Sequence, residues 1–154
     1  MKILIIVSAF LVLSGCGTTS GRVGELPVVA NKANASKVVT VRISSFVGAA
    51  NGYTVALNGN DIYGIGSGEH TEFDVPEGEH YIAVKCFGGW TPTWKKDSLK
   101  FIAKTSETNY FLISPSMSCA EIKPSNKAEV KNHLTGSKFI NLEKMVINNN
   151  VTKQ

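Results

Sequence analysis

Tyr53-Thr54-Val55-Ala56-Leu57-Asn58-Gly59-Asn60-Asp61-Ile62-Tyr63-Gly64-Ile65 is the stretch that decides the fold. Tyr53, Val55 and Leu57 alternate with Thr54 and Ala56, and a period of two turns successive side chains to opposite faces of a strand. Asn58-Gly59 comes next, the pair that best tolerates the positive φ angles of a tight hairpin turn. Asp61 to Ile65 then supplies the returning strand.

The same period extends in both directions. Upstream, from Lys37, Val39, Val41 and Ile43 alternate with Thr40 and Arg42. Downstream, Gly64, Gly66 and Gly68 loosen the chain and predict a bulge or a sharp bend out of the hairpin. Thr71, Phe73 and Val75 share one face of a further strand, with Glu72 and Asp74 on the other. Pro76-Glu77-Gly78 reads as a turn in which the chain reverses, because Pro presets φ and Gly accepts a left-handed corner. The most apolar strand follows, His80 to Phe87, with Ile82, Val84 and Cys86 on one face and Tyr81, Ala83, Lys85 and Phe87 on the other.

After a loop carrying Trp90 and Trp94 come Leu99, Phe101 and Ala103, then Tyr110 to Ile113, then Cys119 to Ile122. Seven or eight short strands at this spacing predict a mainly β protein, a small antiparallel β-sandwich in preference to a barrel. One C-terminal helix closes it. Asn126 is placed to cap that helix, Glu129 to return a bond to the Asn126 backbone, Val130 and Leu134 to form its apolar stripe, and Gly136 to end it. Part of 138–147, which holds Phe139, Ile140, Leu142, Met145, Val146 and Ile147, should pack on the sandwich, while 148–154 reads as a disordered tail.

Residues 37 to 123 resemble the PEGA-like domains of bacterial surface and periplasmic lipoproteins. The likeness rests on the Asn58-Gly59 hairpin after a Val-rich strand, on Ile62-Tyr63-Gly64 in the returning strand, and on Pro76-Glu77-Gly78-Glu79-His80 leading into an apolar strand. A typical member has Ala where this chain has Glu79. The resemblance implies a β-sandwich used for anchoring or contact and does not imply catalysis.

The N-terminus places the domain. Lys2 supplies one positive charge, Ile3 to Leu13 an apolar run of signal-peptide length, and Ser14-Gly15 the small residues that precede a cleavage site. A run this short does not cross ~30 Å of hydrocarbon as an ordinary transmembrane helix. Leu13-Ser14-Gly15-Cys16 resembles the bacterial lipobox, Leu, a small residue, Gly or Ala, then Cys. The resemblance implies cleavage before Cys16, a diacylglyceryl thioether on its sulfur and acylation of its new amino group. Several chains at ~0.8 kcal/mol per buried CH₂ make such an anchor stable. By the same resemblance Gly17, where retention in the inner membrane would call for Asp, implies the periplasmic face of the outer membrane. The expected layout is therefore a signal peptide at 1–15, the lipidated Cys16 with a flexible tether to 36, the β-sandwich with its helix at 37–147, and the tail.

Charge and cysteine content agree with that compartment. Removing residues 1–15 takes away only Lys2, so 16 basic against 12 acidic residues becomes 15 against 12, a net charge of +3. No basic run gathers this charge into a nucleic-acid-binding stripe, since Lys95-Lys96 is followed at once by Asp97. Of three cysteines, lipid would consume Cys16 and leave Cys86 and Cys119 as a pair in an oxidising space. A disulfide between them is expected to stabilise by ~3–4 kcal/mol on the chain-entropy model.

Candidate chemistry is sparse. His70 and His80 each follow a glutamate, Glu69 and Glu79, at the ends of one expected hairpin; a metal site there can be drawn, but solvated polar ends are the ordinary outcome. Gly64-Ile65-Gly66-Ser67-Gly68 lacks both the third glycine of a dinucleotide loop and the strand-to-helix context of a nucleophile elbow, so it reads as a bend. His133 falls on the helix. Trp90 and Trp94 are the foremost contact candidates, either as loop-tip anchors for protein, glycan or lipid or as rings folded over an open end of the core. The expectation is a non-catalytic, lipid-anchored contact or assembly module without cofactor or metal. It meets the membrane through Cys16 and an envelope protein as partner. The alternative is a glycan or small-ligand module built on the Trp90/Trp94 loop.

Overall fold

In a computed structural model of the chain, which describes residues 20–46, 48–49, 51–86, 98–116 and 120–147, two five-stranded sheets face each other. The first runs, in spatial order, β1 (Gly21–Arg22), β4 (Asn60–Ile65), β3 (Tyr53–Leu57), β6 (Gly78–Cys86) and β7 (Leu99–Ala103). The second runs β10 (Lys138–Ile140), β5 (Glu69–Val75), β2 (Ser36–Arg42), β8 (Thr108–Pro115) and β9 (Ala120–Ser125). The helix α1 (Lys127–Leu134) lies against the outer side of the second sheet. The expected class is thus observed: mainly β, with two facing sheets and a helix near the C-terminus.

The β3–β4 hairpin turns where the sequence places it, with Asn58 at φ 49° and Gly59 at φ 93°. Pairing then slips from Ala56 opposite Asp61 to Val55 opposite Tyr63, so Ile62 is an extra residue on β4. The bulge of this hairpin thus sits at Ile62 and the bend follows it, the two alternatives expected of Gly64 to Gly68 falling at separate places. Gly66-Ser67-Gly68 forms the bend that carries the chain from the first sheet to the second, with Gly68 at φ 71°.

The strand pattern departs from expectation in four respects. Ten strands are present among the described residues rather than seven or eight. The sheets are not purely antiparallel, since β2 pairs parallel to β8 and β10 parallel to β5. Pro76-Glu77-Gly78 is not a hairpin turn, because β5 and β6 belong to different sheets and the segment arches between them. In each case local alternation is the same for a hairpin and an arch, and for a parallel and an antiparallel neighbour. Only the partner differs.

The fourth departure is the domain boundary. Residues 20–36 do not form a free tether. Gly21 and Arg22 pair with Gly64 and Tyr63, and the bulged Ile62 carbonyl accepts N–H bonds from Val23 (2.8 Å) and Gly24 (3.0 Å). Leu26 packs on the core and Ser36 is fully buried. This strap has no apolar alternation because backbone groups hold it, and any side chain can accompany them. Gly24 alone is constrained: a Cβ there would lie 2.0 Å from the Asp61 carbonyl oxygen.

The core between the sheets is built from Val38, Tyr53, Val55, Tyr63, Ile65, Phe73, Ile82, Phe111 and their neighbours. Each such side chain stabilises the fold by roughly 1.5–3 kcal/mol when fully buried. Central β2 is covered on both faces. Val38, Thr40 and Arg42 point inward, where the Thr40 hydroxyl meets that of Tyr63, while Val39 and Val41 join Leu112, Val130 and Leu134 in a second apolar cluster beneath α1.

The Asn126 side chain caps α1 by accepting from Glu129 N (3.0 Å). Glu129 does not complete a capping box, because its carboxylate takes Ser125 Oγ (2.7 Å) and Lys123 Nζ (3.1 Å). Past Gly136, at φ 83°, the chain enters β10, where Ile140 is buried, and a 3₁₀ turn that buries Leu142.

Gly24→Ala is expected to cost about 1–3 kcal/mol of stability, the usual range for forcing extra volume into a closed space. It should also free the Val23 amide to exchange with solvent. Urea denaturation and hydrogen exchange check this, and an unchanged midpoint with a still-protected amide would mean that the strap does not bear on Ile62.

Candidate functional site

The strands give the sandwich two dissimilar ends. At one end lie Asn58-Gly59, the Pro76–Gly78 arch, and the starts of β2 and β8. At the other lie Ser20, the Gly66–Gly68 bend, the segment from Ile43 to Gly52, and the ends of β6 and β8. They are called here the Asn58 end and the Ser20 end.

A groove of about 520 Å³ opens at the Asn58 end. The strap forms one wall through Leu26, Pro27 and Val28, and Leu57, Ile62 and His80 are among the residues opposite. Val28 stands 89% exposed at this wall. His80 is buried and held at both ring nitrogens: Nε2 donates to Pro76 O (2.8 Å), which leaves Nδ1 to accept from Asn58 Nδ2 (3.0 Å). Asn58 Oδ1 in turn accepts from Tyr81 N (2.9 Å). Asp61, also in the lining, pairs with Lys85 Nζ at 2.5 Å across β3. The polar groups named here are engaged within the domain, while Glu25 and Asn60 add exposed polar surface, so the groove presents apolar and polar surface in similar measure.

At the Ser20 end Arg42 is 1% exposed. Its Nη1 donates to Asn51 O (2.5 Å) and Ile65 O (2.9 Å), its Nη2 donates to Gly48 O (2.8 Å), and its guanidinium carbon lies 3.8 Å from the centre of the Tyr53 ring. Burial draws its pKa below the ordinary arginine value, opposed by Tyr53 and Glu69. The buried Glu69 carboxylate accepts from Gly66 N (2.7 Å) and lies 3.7 Å from Lys138 Nζ. These contacts tie the loops of this end to the sheets.

The two Glu-His pairs do not meet. His70 and Glu69 start β5 at the Ser20 end, while Glu79 and His80 start β6 at the Asn58 end on the other sheet. Glu79 faces solvent with Tyr81 Oη (2.7 Å) and Lys100 Nζ (2.6 Å), and the Lys100 contact foremost holds its carboxyl below the usual range. His70 Nδ1 is 2.7 Å from Ser137 Oγ, and its ring tilts against Phe139 at 5.2 Å. Among the described residues no three His, Cys, Asp or Glu side chains gather.

Cys86 ends β6, half-buried against the core. The other predicted site residues, Cys16, Trp90, Trp94 and Cys119, lie outside the described residues, as does the tail 148–154. Sequence reasoning passed over the groove, whose strap carries no periodic signal, and the buried Arg42. The only hint of the latter was its parity with Val38.

No protein-family model matches the chain, and no curated protein matches it.

Burial lowers the pKa of His70 from the ordinary histidine value, with Glu72 opposing. The unfolded chain therefore binds this proton more readily, and stability present above the ordinary value (~6.5) is lost as the pH falls through it toward the folded value. Between about pH 7.5 and about pH 5.5 the wild type should lose more of its urea midpoint than His70→Gln. Equal losses would show that His70 protonates alike in both states.

Proposed function

We propose that the protein is a lipoprotein of the bacterial envelope, anchored through acylated Cys16 on the periplasmic face of the outer membrane, whose PEGA-like β-sandwich is a contact or assembly module for another envelope protein. The lipobox Leu13-Ser14-Gly15-Cys16 supports the anchor. The observation that carries the reading is that Ser20, four residues after Cys16, lies at one end of the sandwich, while the groove lies at the opposite end. The seven residues of β2 span about 20 Å between these ends. An anchor at Cys16 would thus leave the groove, with Leu26, Leu57 and Ile62, facing away from the bilayer to receive an apolar side chain of a partner.

In-cell crosslinking after labelling with a palmitate analogue tests this. The wild type should carry label and yield a discrete protein adduct. Cys16→Ser should lose both, and Val28→Asp should keep the label while losing most of the adduct. A labelled wild type that captures no protein would end the contact reading.

A Cys86–Cys119 disulfide belongs to the same proposal. It is supported by the position of Cys86 at the end of β6 and by the close approach of β6 and β9, with Ala120 and Ile122 packing on the same core as Cys86. Non-reducing peptide mapping should recover the two cysteines in one linked peptide, and Cys86→Ala/Cys119→Ala should be less stable by ~3–4 kcal/mol. Recovery of both as free thiols would rule the bond out.

A further inference from the structure

Resting on the lipid anchor proposed above, we infer that the Ser20 end of the sandwich is itself a bilayer-contacting face, with the Phe46 ring seated among the headgroups and upper acyl chains of glycerophospholipids. Three independent observations converge on this end.

The first is reach. Only three residues separate Cys16 from Ser20, and Ser20 is already packed beside Gly66. Four residue steps extend to at most about 14 Å, less than the ~20 Å length of β2. A chain fixed in the bilayer at Cys16 therefore keeps the Ser20 end as the side of the domain nearest the lipid.

The second is composition. The sequence from 43 to 52, Ile-Ser-Ser-Phe-Val-Gly-Ala-Ala-Asn-Gly, carries no charge, nor do Gly66-Ser67-Gly68 or Ser114-Pro115-Ser116. The connections of the Asn58 end carry six charged residues, Glu25, Lys32, Glu77, Lys104, Glu107 and Lys127, whereas at the Ser20 end the sequence places charge in one connection, that following Cys86, with Lys95, Lys96 and Asp97. Ionised groups lose hydration when pressed toward hydrocarbon, whereas Ser, Gly and Asn lose far less. Near the Ser20 end, Lys138 and Glu121 lie on the flanking strands β10 and β9 rather than in these loops. Lys138 is long enough to keep its ammonium at headgroup level.

The third is a presented ring. Phe46 is 98% exposed, yet the chain on both sides of it is held. Ile43 N donates to Ile113 O (2.9 Å), Ser45 N donates to Ser67 Oγ (3.1 Å), and buried Arg42 grips Gly48 O and Asn51 O. A ring whose described neighbours in the chain are already held binds with little further loss of conformational freedom. An aromatic side chain at the boundary of a bilayer is stabilised by the apolar area it removes from water.

The test uses the full lipidated protein in phospholipid vesicles, with an environment-sensitive fluorescent amino acid replacing either Phe46 or Val28. Both positions are exposed, so either replacement should leave folding intact, to be checked by circular dichroism. Mass spectrometry of the acylated N-terminus is run on the same sample. At position 46 the emission should shift to the blue and be quenched several-fold more strongly by lipid-borne quencher than at position 28, where aqueous iodide should quench instead.

Acylated protein whose two positions respond alike to iodide would overturn the inference while leaving the anchor in place. A blue-shifted label at 46 that neither quencher reaches would mean protein contact and would also overturn it. Absence of acyl chains on Cys16 would instead remove the proposed function from beneath it.

Discussion

The architecture depends on one constraint: β2 is central in its sheet and must be covered on both faces. Its inward residues, Val38, Thr40 and Arg42, need the opposing sheet, and its outward residues, Val39 and Val41, need α1. Neither cover suffices alone. The helix is only eight residues long and would be marginal in isolation, so the stripe of Val130 and Leu134 on the outer side of β2 and β8 is what keeps it folded. The chain beyond the helix then returns as β10 beside β5, where Lys138 N bonds Gly68 O and Thr71 Oγ1 bonds Ile140 O (2.7 Å).

Arg42 extends this constraint to the Ser20 end. A cation at the end of a buried strand face is unfavourable unless its donors are met, and here backbone carbonyls of the β2–β3 connection and of β4 meet Nη1 and Nη2, while the buried Nε has no partner among the described residues. The result is that the β2–β3 connection is tied to the sheets on either side of Phe46. At the opposite end the same task falls to Asn58, which joins the hairpin turn to β6 and orients His80. His80 stacks on Phe101, which in turn meets Phe111 edge-on. The two histidines that resemble metal ligands in the sequence are thus separate pieces of structural bonding, one per sheet.

The strap gives the domain its polarity. It enters at the Ser20 end, climbs the edge of β4 and passes the Asn58 end before turning into β2, and the groove exists because this strap stands away from Leu57 and the Pro76 arch. The bulge at Ile62 makes the seat. By adding a residue to β4 it presents a carbonyl that accepts two successive N–H groups, and it brings the Asp61 carbonyl so near that only glycine fits at position 24. Under the proposed anchoring, strap, groove and membrane side are consequences of a single chain direction.

By itself the sequence determined what local chemistry can determine. Alternation at 37–43, 53–57 and 71–75 identified strands, Asn58-Gly59 identified a hairpin through its tolerance of positive φ, and Asn126 identified the start of a helix. Each of these signals arises within a few residues, where backbone sterics and side-chain hydrogen bonding act. Tertiary structure alone decided which strands pair, which turns are arches, that two pairings are parallel and that residues 20–36 belong to the domain. Those choices rest on backbone bonds and apolar contacts between residues distant in the chain. A strand's period of two reports which face is apolar and is silent about the neighbour that covers it, and a strap held largely by its N–H groups leaves no periodic mark on its side chains.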